Sequence, residues 1–201
     1  GYPVKYYDAY ANPVAKPAAQ KVDANVTVST VVDKYIAAIG GLAAMQKVNS
    51  ISTTATTTVQ GMALEVQDVS AKGGKKRTEV KMMGNTVQKI VFDGKTGSME
   101  VQGQKMPIPA AEASKMAKDT ELFPELSMAK SAEYKLAGIE NFGGEDSYVI
   151  KGSDATYYYS VKTGLKTGEV KVEQGQTVPT TYSDYKDVSG VKMPYKFTQN
   201  A

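Results

Sequence analysis

Serine–lysine patterns are the first candidates for chemistry in this sequence. Ser127 and Ser183 each begin an S-x-x-K pattern, and K-T-G triplets begin at Lys95, Lys162 and Lys166. Serine penicillin-binding enzymes use such patterns to place a nucleophile beside its base. Composition alone, however, gives about 1.5 chance matches to S-x-x-K in a chain of this length. The K-T-G triplets also fall where hairpin turns are predicted, so we predict that the chain is not an enzyme.

The residue types that are missing exclude most other chemistry. The sequence contains no cysteine and no histidine, which removes thiol catalysis, disulfides, the usual zinc sites and the Ser-His-Asp triad. A phosphate loop at Gly94-Lys95-Thr96 fails because Lys89 stands where its first glycine is needed. No calcium-loop pattern is present either. We therefore predict no metal and no cofactor.

The charge pattern argues against a nucleic-acid partner. Lys and Arg total 24 against 21 Asp and Glu, and the only arginine is Arg77. Nucleic-acid binders concentrate their cations on one face, whereas these lysines are scattered along the chain. No apolar run reaches the roughly 18 to 20 residues that span a bilayer.

Methionine and tyrosine leave two interpretations open. Nine methionines accompany no tryptophan and four phenylalanines, and methionine adapts to irregular apolar shapes. They can be core filler or the lining of a ligand site. Tyr157-Tyr158-Tyr159 could stack on bases or sugars, but alternate residues of a strand face opposite sides. We expect Tyr157 and Tyr159 in the core and Tyr158 on the surface.

Helices are predicted at two places. Apolar residues from Val31 to Ile39 repeat with helical spacing, with Ser29 or Thr30 as the N-cap and Gly40 at the end. A second short helix is predicted over residues 42–48. Residues 106–128 are predicted to form a helical insertion in two pieces.

Elsewhere the apolar residues alternate, which is typical of β-strands. About ten or eleven strands in an antiparallel meander are predicted, forming a large curved sheet or a barrel. They cover these segments: 51–60, 62–70, 77–83, 86–93, 96–101, 132–140, 146–152, 156–162, 168–174, 178–188 and 191–197.

The first 22 residues differ from the rest. They carry three prolines and no helical period, so residues 1–22 are predicted to be an extended tail or linker from an upstream region, with one strand over residues 4–10. Residues 23–201 are predicted to be a single domain. Residue 1 is glycine rather than methionine, and we expect a processed or trimmed chain.

Three segments carry a family resemblance: DKYIAAIGGLAAMQKVNSI, VFDGKTGSMEVQGQKMPIP, and YYYSVKTGLKTGEVKVEQGQ with the following YSDYKDVSGVKMPYKF. Together they resemble the outer-membrane lipoprotein-sorting (LolA-like) superfamily over residues 28–199. The resemblance implies an unclosed half-barrel, a strongly bent antiparallel sheet with helices plugging its concave face. It also implies a periplasmic or outer-membrane-associated location, with a lipid or lipoprotein acyl chain, or an apolar peptide, as the partner.

A second resemblance concerns the leading segment. VKYYDAYANPV is similar to the tail of an insulinase-type zinc peptidase, some of which carry such a domain at the C-terminus. No H-x-x-E-H pattern exists in this chain, so peptidase activity would belong to an upstream domain of the same polypeptide. The alternative function is then an accessory or structural domain with no ligand of its own.

The leading prediction is a non-enzymatic binding module of the bacterial envelope, with an apolar cavity between sheet and helices. We expect the apolar side chains of the helices and strands to line it: Ile36, Ile39, Met62, Leu64, Val66, Val80, Met82, Ile90, Phe92, Met116, Leu122, Phe123 and Leu126.

Overall fold

The structure is a computed structural model that describes residues 6–7, 13–14, 20–59, 61–117, 121–153, 155–173 and 176–199. The chain is mainly β, with two six-stranded antiparallel sheets and four short helices among these residues. It divides into two compact units. The first-sheet unit is Gln46–Pro124, and the second-sheet unit combines Gly1–Met45 with Glu125–Ala201.

The described part of the tail is a short hairpin. Strand β1 (Tyr6–Tyr7) pairs antiparallel with β2 (Pro13–Val14). The predicted strand over residues 4–10 is therefore seen only at its centre, and its remainder lies outside the described residues. Part of the predicted linker also forms a strand. The domain boundary at residues 22 and 23 stays a prediction.

Helix α1 (Val28–Ala38) begins earlier than predicted. Thr27, rather than Ser29 or Thr30, is the N-cap, and its hydroxyl accepts a hydrogen bond from the Thr30 N–H. The Thr30 hydroxyl in turn accepts from the Thr27 N–H at 2.8 Å. This reciprocal capping box satisfies two backbone donors that the first turn leaves free.

The glycine pair separates two helices, as predicted. Gly40 has a φ of 126°, and a Cβ there would lie 2.2 Å from the carbonyl oxygen of Gly190. No other residue fits this backbone. Helix α2 (Leu42–Lys47) follows at once. The bend is therefore fixed by conformation and by a close backbone approach.

The first sheet is a six-stranded meander in sequence order. Its strands are β3 (Ser50–Val59), β4 (Met62–Ala71), β5 (Lys75–Met82), β6 (Asn85–Phe92), β7 (Gly97–Val101) and β8 (Gln104–Pro107).

Two details of this meander differ from prediction. The turn between β5 and β6 is Met83-Gly84, with φ of 51° and 81°, one residue before residues 84–85, which separate the predicted strands. Strand β8 was predicted as part of the helical insertion. Four residues ending in Pro107 give a weak strand pattern, yet an edge strand tolerates a proline.

The insertion that follows contains two short helices. Helix α3 (Ala110–Met116) comes directly after Pro109. Helix α4 (Glu125–Met128) begins directly after Pro124, so that proline precedes the helix instead of lying inside it. A proline lacks the N–H that a helix interior needs, which favours this position.

The second sheet is also a meander. Its strands are β9 (Lys135–Phe142), β10 (Glu145–Lys151), β11 (Ala155–Ser160), β12 (Lys166–Glu173), β13 (Gln176–Val188) and β14 (Val191–Gln199). Both sheets are open, because each has two edge strands. The predicted fold class, mainly β, antiparallel and unclosed, is confirmed. Where about ten or eleven strands were predicted, the described residues form two six-stranded sheets besides the β1–β2 pair.

The second-sheet unit holds most of the fully buried apolar side chains. Tyr159, Ile150 and Val149 are at most 1% exposed. The Tyr35 ring of α1 meets the Tyr159 ring edge-on, with 5.3 Å between the ring centroids. Tyr158 is buried as well, stacked on Phe142 at 3.9 Å. The expectation of a surface position for Tyr158 is therefore wrong, because both faces of β11 are covered.

Candidate apolar binding face

One face of the first sheet is apolar, and the strand register defines it. Leu64 on β4 lies opposite Met82 on β5, and Val66 lies opposite Val80. Ile90 on β6 pairs with Met99 on β7. Because side chains alternate along a strand, partners in register share a face. We call this surface the apolar face; its apolar members are Ile51, Ala55, Met62, Leu64, Val66, Val80, Met82, Ile90, Phe92, Met99, Val101 and Met106, and the same register also places Thr53, Thr57, Asp68, Ser70, Lys76, Thr78, Gln88 and Gln104 on it.

The opposite face of the same sheet is polar and internally paired. Lys81 lies 3.8 Å from Glu65, its direct neighbour across β4 and β5. Arg77 forms an ion pair with Glu79, and Thr86 donates to the same carboxylate at 2.6 Å. The hydrogen bond from Thr86 and the Arg77 guanidinium lower the pKa of Glu79. The alternation of side chains along each strand separates the two faces, although Val69 and Val91 lie on the polar face and Asp68 and Thr78 on the apolar face.

The apolar face is covered at one end. Phe92 is 2% exposed. A Cβ on Gly97, its direct partner on β7, would lie 2.7 Å from Ile108 Cδ1 and 3.0 Å from the Phe92 ring. Ile108 therefore reaches over Gly97 and touches the same end of the sheet as Phe92. Glycine at position 97 is what admits both side chains.

The other end of the apolar face is open to solvent. At that end Met62 is 48% exposed and Val101 37%, whereas Met106, 45% exposed, lies on the edge strand β8 beside Met99, nearer the covered end. Between the two ends, Leu64, Val66 and Ile90 are half-buried. Apolar side chains that stay partly exposed as a contiguous set mark a surface able to receive an apolar partner.

Seven of the thirteen predicted site residues share the apolar face: Met62, Leu64, Val66, Val80, Met82, Ile90 and Phe92. Three more belong to the same unit, where Met116 and Leu122 are half-buried and Phe123 is buried. Ile36, Ile39 and Leu126 belong to the second-sheet unit. Ile39 is fully buried, and its carbonyl accepts from the Lys192 N–H. The role of all thirteen in binding stays a prediction.

A buried ionic cluster in the second-sheet unit was missed by the sequence analysis. The Lys166 ammonium lies 2.9 Å from a Glu169 carboxylate oxygen and 3.6 Å from a Glu125 carboxylate oxygen. Tyr159 donates to Glu125 at 2.9 Å. The Lys166 ammonium also lies over the Tyr157 ring, 4.7 Å from its centroid. The only sequence pattern noted at this cluster was the K-T-G triplet that begins at Lys166. That triplet was predicted to lie in a turn, but it lies in β12.

The electrostatics of this cluster favour a structural role. Burial raises the pKa of the Tyr159 and Tyr35 hydroxyls, and the Glu125 charge raises them further. Both phenols therefore stay protonated and cannot act as bases near neutral pH. Burial alone would raise the pKa of Glu169, but the Lys166 and Lys171 charges outweigh it and lower that pKa to about 2. The carboxylate is held ionised as a partner for the lysines.

The serine–lysine patterns do not build a buried catalytic pair. Ser127 and Ser183 are both exposed. The Lys186 ammonium lies 3.1 Å from Asp184 and over the Tyr195 ring, so it is engaged by neighbours other than Ser183. Within the described residues, no group of three or more Asp and Glu is placed to hold a metal ion. No helix in the described part of the chain is long and apolar enough to cross a membrane.

These features define a class of protein: a mainly β chain of two open antiparallel meanders, one of which exposes an apolar face. No protein-family model matches the sequence, and neither does any curated protein. Among solved structures, a LolA superfamily protein from Nitrosomonas europaea is similar, with a TM-score of 0.50, 14% identity, and coverage of 87% of this chain and 85% of that chain. At this identity the likeness concerns the fold alone, and the fold agrees with the resemblance found in the sequence.

Two further structures align at a lower level. MucB in complex with the periplasmic part of MucA has a TM-score of 0.28 at 18% identity, covering 75% of this chain and 51% of that chain. The MucA/MucB complex of Pseudomonas aeruginosa has a TM-score of 0.28 at 17% identity, covering 75% and 53%. TM-scores this low carry no argument about this chain.

Proposed function

We propose that the apolar face of the first sheet binds an apolar ligand, the acyl chain of a lipid or lipoprotein or an apolar peptide segment, in the bacterial envelope. The observation that carries the proposal is the register, which gathers Leu64, Val66, Val80, Met82 and Ile90 on one half-buried face. The likeness of the fold to a LolA superfamily protein supports it. The chain acts by binding and not by catalysis.

The geometry suggests how a ligand would lie. An extended acyl chain would enter at the open end, beside Met62 and Val101, and run toward the end closed by Ile108 and Phe92. Burying apolar surface releases about 25 cal/mol per Å², so even partial cover of this face drives binding. Methionine side chains adapt to ligands of different shape, and the apolar face carries four: Met62, Met82, Met99 and Met106.

Binding of an apolar fluorophore, together with native mass spectrometry before and after lipid extraction, tests this proposal. Replacing Leu64 and Met82 by Gln places two amides at the centre of the apolar face, and affinity should fall at least about tenfold. The matched control replaces Val69 and Val91, on the polar face, by Gln and should change affinity less than about twofold. Equal loss in both variants, or no binding by the unmodified chain, would refute the proposal.

The sequence also suggests an accessory domain of an insulinase-type zinc peptidase. On that reading the apolar face receives no ligand and the chain stabilises a catalytic domain upstream. The reading frame before residue 1 discriminates between the two: an H-x-x-E-H there favours the accessory domain.

A further inference from the structure

The four outer strands of the two sheets differ in how their edges are protected. An unpaired strand edge recruits other strands, and proteins usually block it with lysine, proline, bulges or short length. β8 is four residues long and contains Lys105 and Pro107. β14 contains Pro194 between Lys192 and Lys196. β9 is partly covered, because Gln20 bridges to Ile139.

Strand β3 has none of these protections. It is ten residues long, SISTTATTTV, with no charged residue, proline or glycine. All ten residues pair with β4 in one continuous register without a bulge. Among the residues that the structure describes, β4 is its only strand partner, and no other backbone hydrogen bond to β3 is present. Among the described residues, therefore, nothing forms backbone hydrogen bonds with the outer edge of β3.

The side chains of β3 suit an identical partner. Ser52, Thr54, Thr56 and Thr58 are exposed on the polar side, and hydroxyl side chains directly opposite one another form favourable cross-strand pairs. A twofold axis places a strand against itself, which requires a self-complementary surface. Any charged residue at the axis would face its own copy and repel it. β3 has no charge to repel.

We propose that β3 pairs antiparallel with β3 of a second copy of this chain, across a twofold axis. The two first sheets then form one sheet of twelve strands. With the axis perpendicular to the sheet, both apolar faces lie on the same side, and Ile51 and Ala55 of each copy continue that face across the junction. The inference goes beyond the proposed function, because the dimer forms with or without a ligand.

Sedimentation equilibrium on the full chain tests the association. The unmodified chain should show a monomer–dimer equilibrium. The double variant Thr54→Lys/Thr58→Lys puts charges on the open edge and should raise the dimer Kd at least about tenfold. The matched control is Gln67→Lys/Ala63→Lys, which changes the residues directly opposite on β4 and should keep the Kd within about twofold. Circular dichroism checks that both variants fold.

The register of the pairing is testable because the chain has no native cysteine. Single cysteines placed in turn from Ile51 to Thr58 should give a narrow maximum of interchain disulfide at the twofold axis. Residues opposite one another have Cα atoms about 4.5 to 5.5 Å apart, within disulfide range, and the distance grows steeply on either side. A monomer at every concentration, a dimer unaffected by the lysines on β3, or cross-linking equal at all positions would overturn the proposal.

Discussion

The two sheets have equal numbers of strands but different degrees of closure. In the second sheet, Val149, Ile150 and Tyr159 are at most 1% exposed. In the first sheet, Leu64, Val66 and Ile90 remain half-buried, and only one end, at Phe92, is closed. A fully packed core holds a single structure, whereas a partly exposed apolar face retains surface for a partner. We therefore expect stability to be concentrated in the second sheet, while the proposed binding uses the first.

Polar residues divide between the sheets in the same way. On the polar face of the first sheet, Lys81 and Glu65 pair and both keep solvent contact, although Glu79 on that face is buried. The second sheet buries Lys166, Glu169 and Glu125. Exposed pairs contribute little to stability, whereas breaking a buried pair is costly. If equivalent mutations lowered the free energy of unfolding equally in the two sheets, this comparison would be contradicted.

The largest expected effect is a loss of stability on mutation of the buried core of the second-sheet unit. Tyr159→Ala should lower the free energy of unfolding by about 3 to 5 kcal/mol, because it leaves a cavity in a closed core. Ile90→Ala on the apolar face should lower it by about 1 kcal/mol, because that side chain is already partly hydrated. Urea denaturation measures both. If Tyr159→Ala does not fold, Tyr159→Phe serves instead and should cost about 1 to 2 kcal/mol, because it removes the hydrogen bond that Tyr159 donates to the buried Glu125. Equal costs at positions 159 and 90 would contradict the comparison.

The second largest effect on stability is expected at the buried ionic cluster. Lys166→Met leaves the Glu125 and Glu169 carboxylates buried without this cation and should destabilise the chain by about 3 kcal/mol. Lys171→Met is the control, since the Lys171 side chain is 49% exposed and its loss should cost under about 1 kcal/mol. Thermal unfolding compares the two variants. A Lys166→Met chain as stable as the control would show that the cluster does not hold the core.

The pH dependence of stability follows from Glu169. Its pKa falls from 4.5 to about 2 on folding, so its contribution is complete above about pH 4.5 and is lost as the pH falls toward 2. The loss should amount to about 3 kcal/mol at most. Urea unfolding at about pH 6 and about pH 3 measures it. Glu169→Gln should flatten this dependence, and an unchanged slope in that variant would assign it to other carboxylates.

Local patterns in the sequence predicted the apolar face but not the ionic cluster. Alternation places Leu64, Val66 and Met82 on one side whatever the tertiary structure, because the period of a strand is two. Lys166 is buried between Glu169, three residues on, and Glu125, which is distant in the sequence. Charged residues are usually found at the surface, and a lysine near a glutamate does not by itself indicate burial.

The division into two sheets and the burial of Phe92 also could not be predicted from the sequence and were seen only in the structure. Strand periodicity predicts strands but not where a meander is interrupted, and β8, with Pro107, carried too weak a pattern. The cover depends on Ile108 reaching over Gly97. A glycine in a strand signals a close approach without naming the side chain that approaches.

The methionines provide the most direct test of the binding face. With [13C]methyl-methionine labelling, NMR follows Met62, Met82, Met99 and Met106 on the apolar face, and Met45 and Met128, which are at most 1% exposed, in the second-sheet unit. Titration with a long-chain fatty acid should shift the four signals of the apolar face and leave those of Met45 and Met128 unchanged. Shifts confined to Met45 and Met128, or no shift at any methionine, would contradict the account.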